Sequence, residues 1–222
     1  MININSLRFL YHKESFELSI PKLSIAPLKK TAIIGPSGSG KTTLLKLISG
    51  ILVPQEGIIH IDNLYVNELS DAQRRAFRIK SIGFIFQDFE LLEYLNILDN
   101  ILHPYRITKA LTLTNNTRSR ARELAEKLKI DDKLYNKPNE LSQGERQRAA
   151  ICRALLPNPK LILADEATGN LDPQNKIRIL DQLIDCVEEH NATLIAVTHD
   201  RELLPYFDHV VDFQEFYKTE VT

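Results

Sequence analysis

The fold is decided by the stretch TAIIGPSGSGKTTLLKLI, residues 31–48. Its first four residues are a threonine followed by three apolar residues, which is typical of a buried parallel strand. Its last part carries the apolar stripe of a helix, formed by Leu44, Leu45, Leu47 and Ile48. Between them, residues 35–42 have the spacing G-x-x-x-x-G-K-[ST]. A strand before this spacing and a helix after it indicate a phosphate-binding loop and disfavour the alternative of an ordinary Gly/Ser turn.

The loop supplies what a nucleotide triphosphate needs, which is many donors at close range. Gly38 and Gly40 let the backbone curl with its N–H groups inward, and the dipole of the following helix adds positive potential. Lys41 places a point charge on the terminal phosphates, and a threonine hydroxyl can bind magnesium or phosphate. We assign nucleotide binding to Gly35, Pro36, Ser37, Gly38, Ser39, Gly40, Lys41, Thr42 and Thr43.

Outward from this stretch, strands alternate with helices, which predicts an α/β protein with a mainly parallel sheet. Strand patterns occur at 2–10, 16–25, 31–34, 57–61, 81–86, 161–164 and 193–197, with turns near Lys13 and Pro21. The first two predict an antiparallel β subdomain. Helical patterns occur at 91–102, 118–128 and 177–189. We expect one domain over 1–222, with 1–88 and 156–222 as the core and β subdomain and 89–155 as an inserted α-helical subdomain.

Composition excludes several classes of protein. Lys and Arg number 28 against 29 Asp and Glu, so a formal charge of −1 disfavours a purely electrostatic nucleic-acid binder. Cys152 and Cys186 lie far apart, without zinc-site spacing and too few for a disulfide scaffold, which favours a reducing compartment. No segment reaches the roughly 18 apolar residues of a membrane-spanning helix. The sequence therefore predicts a soluble, cytosolic chain.

Two carboxylates follow the apolar strand 161–164, at the end where open α/β sheets bind ligands. Neighbouring residues on an extended chain point to opposite faces, so Asp165 and Glu166 should have different tasks. Asp165 suits a magnesium shell, and Glu166 suits a water in line with the γ-phosphate. An acidic loop, or a helix cap at either residue, is the alternative.

Polar residues also end two other predicted strands. His199 follows the apolar strand 193–197, where it could bond to the γ-phosphate or to the attacking water, although a lone histidine is more often structural. Gln87 ends the strand at 81–86, where the sheet gives way to the helical region, and its amide could sense magnesium and move that region.

The segment LSQGE, residues 141–145, precedes a basic helix. Ser142 and Glu145 have the spacing of a capping box, which by itself explains the pattern. A second interpretation is another anion site, because a glycine and a hydroxyl stand at a helix N-terminus. The spacing does not decide between them.

Taken together and in this order, the motifs resemble the ATP-binding cassette (ABC) family over nearly the whole chain. They are an aromatic near the start, GPSGSGKTT (35–43), Gln87, LSQGE with the helix after it, LILADEATGNLD (161–172) and VTHD (197–200). The phrases IGFIFQDFELL, LSQGERQR and ADEATGNLD are most similar to the branch of lipoprotein release, macrolide export and cell division. Gln143 departs from the family's usual first signature glycine, Ala167 from a proline and Thr42 from the commoner serine.

The resemblance implies a P-loop NTPase fold and an ATPase that powers a membrane transporter or mechanotransmission complex. Two copies, or one copy and a homologous ATPase subunit, would pair head to tail and sandwich two ATP molecules. The signature of one subunit, Ser142, Gln143, Gly144 and Glu145, would then meet the γ-phosphate held by Lys41 of the other. The implied partners are separate transmembrane permease subunits and no nucleic acid. The implied location is cytoplasmic, peripheral on the inner face of the cell membrane.

The resemblance also implies individual roles. Glu166 and His199 would be catalytic, and Mg²⁺ would be held by Thr42, Gln87 and Asp165. Asp172, in the loop 169–172, would couple the two sites. Tyr11 resembles the aromatic that stacks on adenine, with Phe9 and His12 as neighbouring alternatives. Apolar residues between Phe89 and Tyr105 are the candidate surface for the permease, and ordinary packing is the alternative explanation for them.

Two other functions compete with this interpretation. A soluble cassette ATPase of iron–sulfur cluster assembly has a similar size and stays open. A P-loop nucleotide kinase offers no reason for LSQGE or VTHD.

We expect Lys41→Glu to abolish triphosphate affinity, because the loop would then face phosphate with the wrong sign of charge. Equilibrium binding of ATP to the purified variant measures this. Normal ATP affinity would mean that the site has been assigned to the wrong residues.

Overall fold

The computed structural model describes residues 2–11, 16–167, 169 and 172–216. In chain order its strands and helices are β1 Ile2–Leu10, β2 Glu17–Ile25, β3 Lys30–Ile34, α1 Lys41–Ile48, β4 Glu56–Ile61, β5 Leu64–Tyr65, α2 Asp71–Ser81, β6 Ile82–Ile85, α3 Ile97–Arg106, α4 Asn115–Lys127, α5 Gln143–Leu155, β7 Leu161–Asp165, α6 Pro173–Glu189, β8 Thr193–Val197 and β9 His209–Asp212. Contacts cluster the chain into a first unit, Met1–Arg78 with Thr193–Thr222, and a second unit, Ile79–Ala192. The expected helical subdomain at 89–155 falls within the second unit, and its boundaries stay a prediction.

An antiparallel sheet in the order β2-β1-β4-β5 opens the first unit, which confirms the predicted antiparallel β subdomain. The predicted turn at Pro21 is wrong, because β2 continues through it. The alternation of buried side chains changes phase there, opposite Ser6, which has a φ of +50°. Proline is tolerated at such an irregularity because it cannot donate to the ladder. The turn expected near Lys13 lies outside the described residues.

The other paired strands are parallel, as predicted. In the first unit β3 pairs with both β8 and β9, and in the second unit β6 pairs with β7. Every residue of β7 and of β8 is buried, as expected for strands covered on both faces. In each unit, the polar residues that follow paired strands therefore lie at one edge of those strands.

The helices of the second unit begin elsewhere than predicted. The expected helix at 91–102 begins only at Ile97, because the side chain of Asn96 caps it by accepting from the Asp99 amide at 2.7 Å. The buried Asn100 side chain bonds both backbone groups of Leu92, at 2.7 and 3.1 Å, and so holds the preceding segment as a loop. Helix α4 begins three residues before the predicted start at Arg118, at the capping box of Thr114.

Three elements were not anticipated from the sequence. Helix α2 has no buried residue and is rich in arginine, so it carries no long apolar run that would draw attention to it in the sequence. Strand β5 has two residues, and β9 is largely exposed. Among the described residues, no helix is both long and apolar enough to cross a membrane.

We expect Gly57→Ala to lower the free energy of unfolding by about 2–4 kcal/mol, through left-handed strain and overpacking. Gly57 has a φ of +89°, and a Cβ there would collide with the Ser6 carbonyl and lie 2.5 Å from the Cα of Leu7. Gly144→Ala is the control, since its Cβ would come no closer than 3.4 Å to Arg148. Denaturant unfolding of both variants is the measurement, and equal stabilities would contradict the assigned role of Gly57.

Candidate functional site

The phosphate loop connects β3 to α1 in the first unit. Gly38 and Gly40 have φ values of +78° and +98°, so the loop uses the conformation that glycine permits. The amine of Lys41 donates to the carbonyls of Gly35 and Pro36 at 2.9 and 2.7 Å, which ties the loop to the start of the helix. The loop is thus held in shape by its own lysine.

Three observations indicate that this loop fits a bound phosphate. Within the part of the chain that the structure describes, the buried hydroxyl of Ser39 has no hydrogen-bond partner. No side chain caps the N-terminus of α1, and no acidic residue lies in its first turn. A Cβ at Gly38 would meet nothing within 4 Å, so the backbone there is open to a ligand. An anion would satisfy the orphan N–H groups of the helix and interact favourably with its dipole.

Tyr11 lies against the helix that follows the loop. Its hydroxyl hydrogen-bonds the Thr43 Oγ1 at 3.3 Å, and its ring packs edge-on against Phe9 at 4.9 Å. Tyr11 is 41% exposed whereas Phe9 is 5% exposed, so of these two Tyr11 offers the accessible ring. His12, the other alternative, lies outside the described residues. The hydroxyl of Thr43 hydrogen-bonds Tyr11 and Thr43 is buried, whereas Thr42 is exposed.

His199 lies at the same edge of the parallel strands as the phosphate loop. Strand β8 pairs with β3, and the last pair joins Val197 to Ile33. Both strands end within one residue of that pair. The Thr198 amide donates to the Ile33 carbonyl at 3.1 Å, which carries the alignment one residue further. His199 itself is exposed. Strand pairing thus places an exposed imidazole beside the end of β3, as the sequence predicted for the ligand edge.

In the second unit the structure brings Gln87 and Glu166 together. The Gln87 Nε2 donates to the Glu166 Oε2 at 3.2 Å. Glu166 has a φ of +46° and its carbonyl accepts from the Gly169 amide at 2.9 Å, so a tight turn fixes it directly after β7. Asp165 is the buried last residue of β7 and is 7% exposed. The two carboxylates therefore have different environments, and neither caps a helix.

The capping interpretation of Ser142 and Glu145 is confirmed. The Ser142 hydroxyl accepts from the Glu145 amide at 3.3 Å, and both its hydroxyl and its amide donate to the Glu145 Oε2 at 2.8 Å. These bonds from Ser142 lower the pKa of Glu145 below its usual range. The contact therefore contributes stability near neutral pH and loses it as the pH falls through the folded-state pKa. Ser142 and Gln143 are exposed at the start of α5, and their role as a second anion site stays a prediction.

Asp172 is the N-cap of α6. Its carboxylate accepts from the Asn175 amide at 3.1 Å and from the Asn175 Nδ2 at 2.6 Å. The expected coupling role therefore has a capping explanation beside it. Asn170 and Leu171, in the same predicted loop, lie outside the described residues.

The sequence-predicted residues divide between the two units. The first holds Tyr11, the phosphate loop and His199, and the second holds Gln87, the signature segment, Asp165, Glu166 and Asp172. Sequence reasoning missed Arg153, which bonds the backbone just after Gln87. The available signal was a charged residue inside the apolar run ICRALL, since such a residue requires a specific partner.

The candidate metal ligands have the chemistry of a magnesium site. Thr42, Gln87 and Asp165 offer a hydroxyl, an amide oxygen and a carboxylate, which are hard oxygen donors. Among the described residues, no group of three or more His, Cys, Asp and Glu could hold a metal by itself. The donor set suits an ion that shares its coordination with substrate phosphates, which is how Mg²⁺ usually binds.

Comparisons with known proteins agree with this geometry. A family model described as ABC transporter matches residues 18–169. The ATP-binding protein LolD of the lipoprotein-releasing system of Hyphomonas neptunium is 36% identical, covering 92% of this chain and 90% of LolD. The macrolide export ATP-binding/permease protein MacB of Rhodopirellula baltica is 38% identical over 97% of this chain, which spans only 32% of MacB. The dimeric post-hydrolysis cassette MJ0796, bound to ADP and Pi, superposes with a TM-score of 0.85 at 33% identity, covering 96% of this chain and 94% of that one.

We expect Ser142→Ala to cost about 1 kcal/mol of stability and, in addition, to lower steady-state ATP hydrolysis at least tenfold. Thr114→Ala is the matched control, because it removes the capping box of α4 in the same unit. It should cost similar stability and leave hydrolysis unchanged. Equal hydrolysis in the two variants would reduce Ser142 to a helix cap.

Proposed function

The chain belongs to the ABC transporter family, and on that premise we propose that it is the ATP-hydrolysing subunit of a membrane transporter or membrane mechanotransmission complex. The observation that carries the proposal is the phosphate loop between β3 and α1, with its left-handed glycines and the buried, unpartnered Ser39 hydroxyl. Lys41 at the head of α1 supplies the cation for the terminal phosphates. Tyr11 offers its exposed ring to the adenine.

Hydrolysis is assigned to Glu166 and His199, which follow β7 and β8. Glu166 orients the attacking water and accepts its proton on a carboxylate oxygen, and the amide of Gln87 holds that carboxylate at 3.2 Å. His199 hydrogen-bonds the water or the γ-phosphate from the edge of the first unit. Thr42, Gln87 and Asp165 would hold Mg²⁺, which neutralises charge on the phosphates when it is bound.

A complete site requires a second cassette. The signature, Ser142–Glu145, stands at the N-terminus of a 13-residue helix, whose dipole favours an anion. One chain thus offers two different phosphate-binding segments, and head-to-tail pairing would bring one from each copy to a single ATP. The dimeric state of the related cassette MJ0796 supports this arrangement. The second cassette is another copy or a homologous ATPase subunit, and Asp172 lies in the loop that would couple the two sites.

The proposed membrane partner is a separate permease with spanning helices. The name of MacB joins an ATP-binding and a permease part in one protein, and this chain matches only 32% of it. Half of the apolar residues expected to dock, among them Phe89 and Ile101, are buried, whereas Tyr94 is 74% exposed. We therefore centre the docking surface on Tyr94. The protein would lie in the cytoplasm, peripheral on the inner face of the cell membrane.

Motion is assigned to the helical subdomain, 89–155, which would carry the signature toward the partner's nucleotide relative to the core, 1–88 and 156–222. ATP binding would close the dimer, and hydrolysis would reopen it. Each state binds nucleotide differently, which is the condition for coupling binding to movement.

Co-purification from detergent-solubilised membranes tests the transport proposal. A partner with spanning helices supports it. A purely soluble set of partners, such as iron–sulfur assembly proteins, would favour the competing soluble ATPase.

We expect Glu166→Gln to bind ATP normally, turn over at least 100-fold more slowly and accumulate as a dimer, because the amide keeps the size of the side chain but accepts no proton. Steady-state hydrolysis and light scattering with ATP are the measurements. Glu123→Gln is the control, because it removes the same charge at an exposed position of α4. Unchanged turnover in Glu166→Gln would refute the assigned role of Glu166.

A further inference from the structure

Two residues after Gln87, the chain makes a turn in a conformation that its residue types disfavour. Phe89 and Glu90 have φ values of +61° and +51°, and neither is glycine or asparagine. The Glu90 amide donates to the Asp88 carbonyl at 2.6 Å, so the turn is tight. Consecutive left-handed residues persist only where the surrounding structure holds them.

Arg153 of helix α5 supplies that support. Its Nη2 donates to the Phe89 carbonyl at 2.5 Å, and its Nη1 donates to the Glu90 carbonyl. The planar guanidinium fork fits two consecutive carbonyls, which a lysine ammonium cannot match. Burial lowers the pKa of Arg153 to about 10, so the side chain stays charged at neutral pH.

A second arginine of the same helix fixes the side chain of the turn. The guanidinium of Arg146 lies 5.7 Å from the centre of the Phe89 ring, which is 9% exposed. This distance is within the range of a cation–π contact. The turn is therefore attached to α5 through its backbone at Arg153 and through its ring at Arg146.

The two ends of this connection are functional segments. On one side the turn follows Gln87, whose amide bonds the Glu166 carboxylate. On the other side α5 begins at the capping box of Ser142, about 16 Å along the helix from Arg153 at 1.5 Å per residue. Backbone hydrogen bonds link successive turns of α5 along its axis, so a displacement at one end is transmitted to the other.

We propose that Arg153 is a positioning residue that fastens the turn at Phe89–Glu90 to helix α5, so that the amide of Gln87 and the signature segment move together. The position of helix α5 then determines whether Glu166 is held in place to accept the proton. This inference rests on the proposed ATPase function and adds to it the residue through which the signature helix governs the Gln87–Glu166 pair.

The test compares Arg153→Lys and Arg153→Gln with Arg106→Gln, which removes a guanidinium of the same unit that pairs with the Asp99 side chain. In both Arg153 variants we expect kcat to fall at least tenfold while ATP affinity, measured with a fluorescent analogue, changes less than threefold. Combining Gln87→Ala with Arg153→Lys should lower kcat little further than either change alone, since both changes act at one step. Glu90→Gly should partly restore Arg153→Lys, because glycine forms the turn without strain.

Hydrogen exchange gives a readout that needs no turnover. Amides at 86–92 should exchange faster in both Arg153 variants, while those of α6 stay as in the wild type. Unchanged exchange at 86–92, or effects on kcat that add fully to those of Gln87→Ala, would overturn the proposal. A wild-type protein that binds but never hydrolyses ATP would overturn the proposed function instead, and the exchange result would still decide whether Arg153 holds the turn.

Discussion

Parallel pairing of short, buried strands is the constraint on which the candidate site depends. Because paired parallel strands end at the same edge, the residues that follow them are brought together however far apart they lie in the chain. In the first unit this aligns the phosphate loop after β3 with His199 after β8. In the second unit it aligns Gln87 after β6 with Glu166 after β7. Each unit thereby aligns its own set of candidate site residues.

Three of the residues with strained backbone lie just after β6 and β7. Glu166, Phe89 and Glu90 all have left-handed φ values without being glycine. Such residues cost about 1–3 kcal/mol each, and the neighbouring structure must offset the cost. At Glu166 the offset includes the bond to the Gly169 amide, and at the Phe89–Glu90 turn it comes from Arg153. The turn at Glu166 is thus held by a bond within its own loop, and the Phe89–Glu90 turn by a side chain of α5.

Helix N-termini in this protein show how one local pattern serves different purposes. Helices α4 and α5 both begin with complete capping boxes, at Thr114 and at Ser142. Helix α1 begins with Gly40 and has no side-chain cap. A cap satisfies the free N–H groups with the protein's own oxygen, whereas an uncapped end leaves them for a ligand. The phosphate loop therefore differs from the signature in that its helix has no side-chain cap, whereas the signature helix begins with a capping box.

The sequence by itself determined the features that depend on local pattern: the apolar strands, the phosphate loop, the capping-box spacing at Ser142 and Glu145, and the order of motifs that indicated the family. Only the tertiary structure decided the start of α3, the exposure of Tyr11 beside the buried Phe9, and the contacts of Arg153. The physical reason is the distance along the chain over which each interaction acts. Periodicity and capping act within a few residues. Packing between segments sets the other contacts: the bond from the Leu92 amide to Asn100, the burial of Phe9, and the bonds from Arg153 to the carbonyls of the turn. No local pattern encodes this packing.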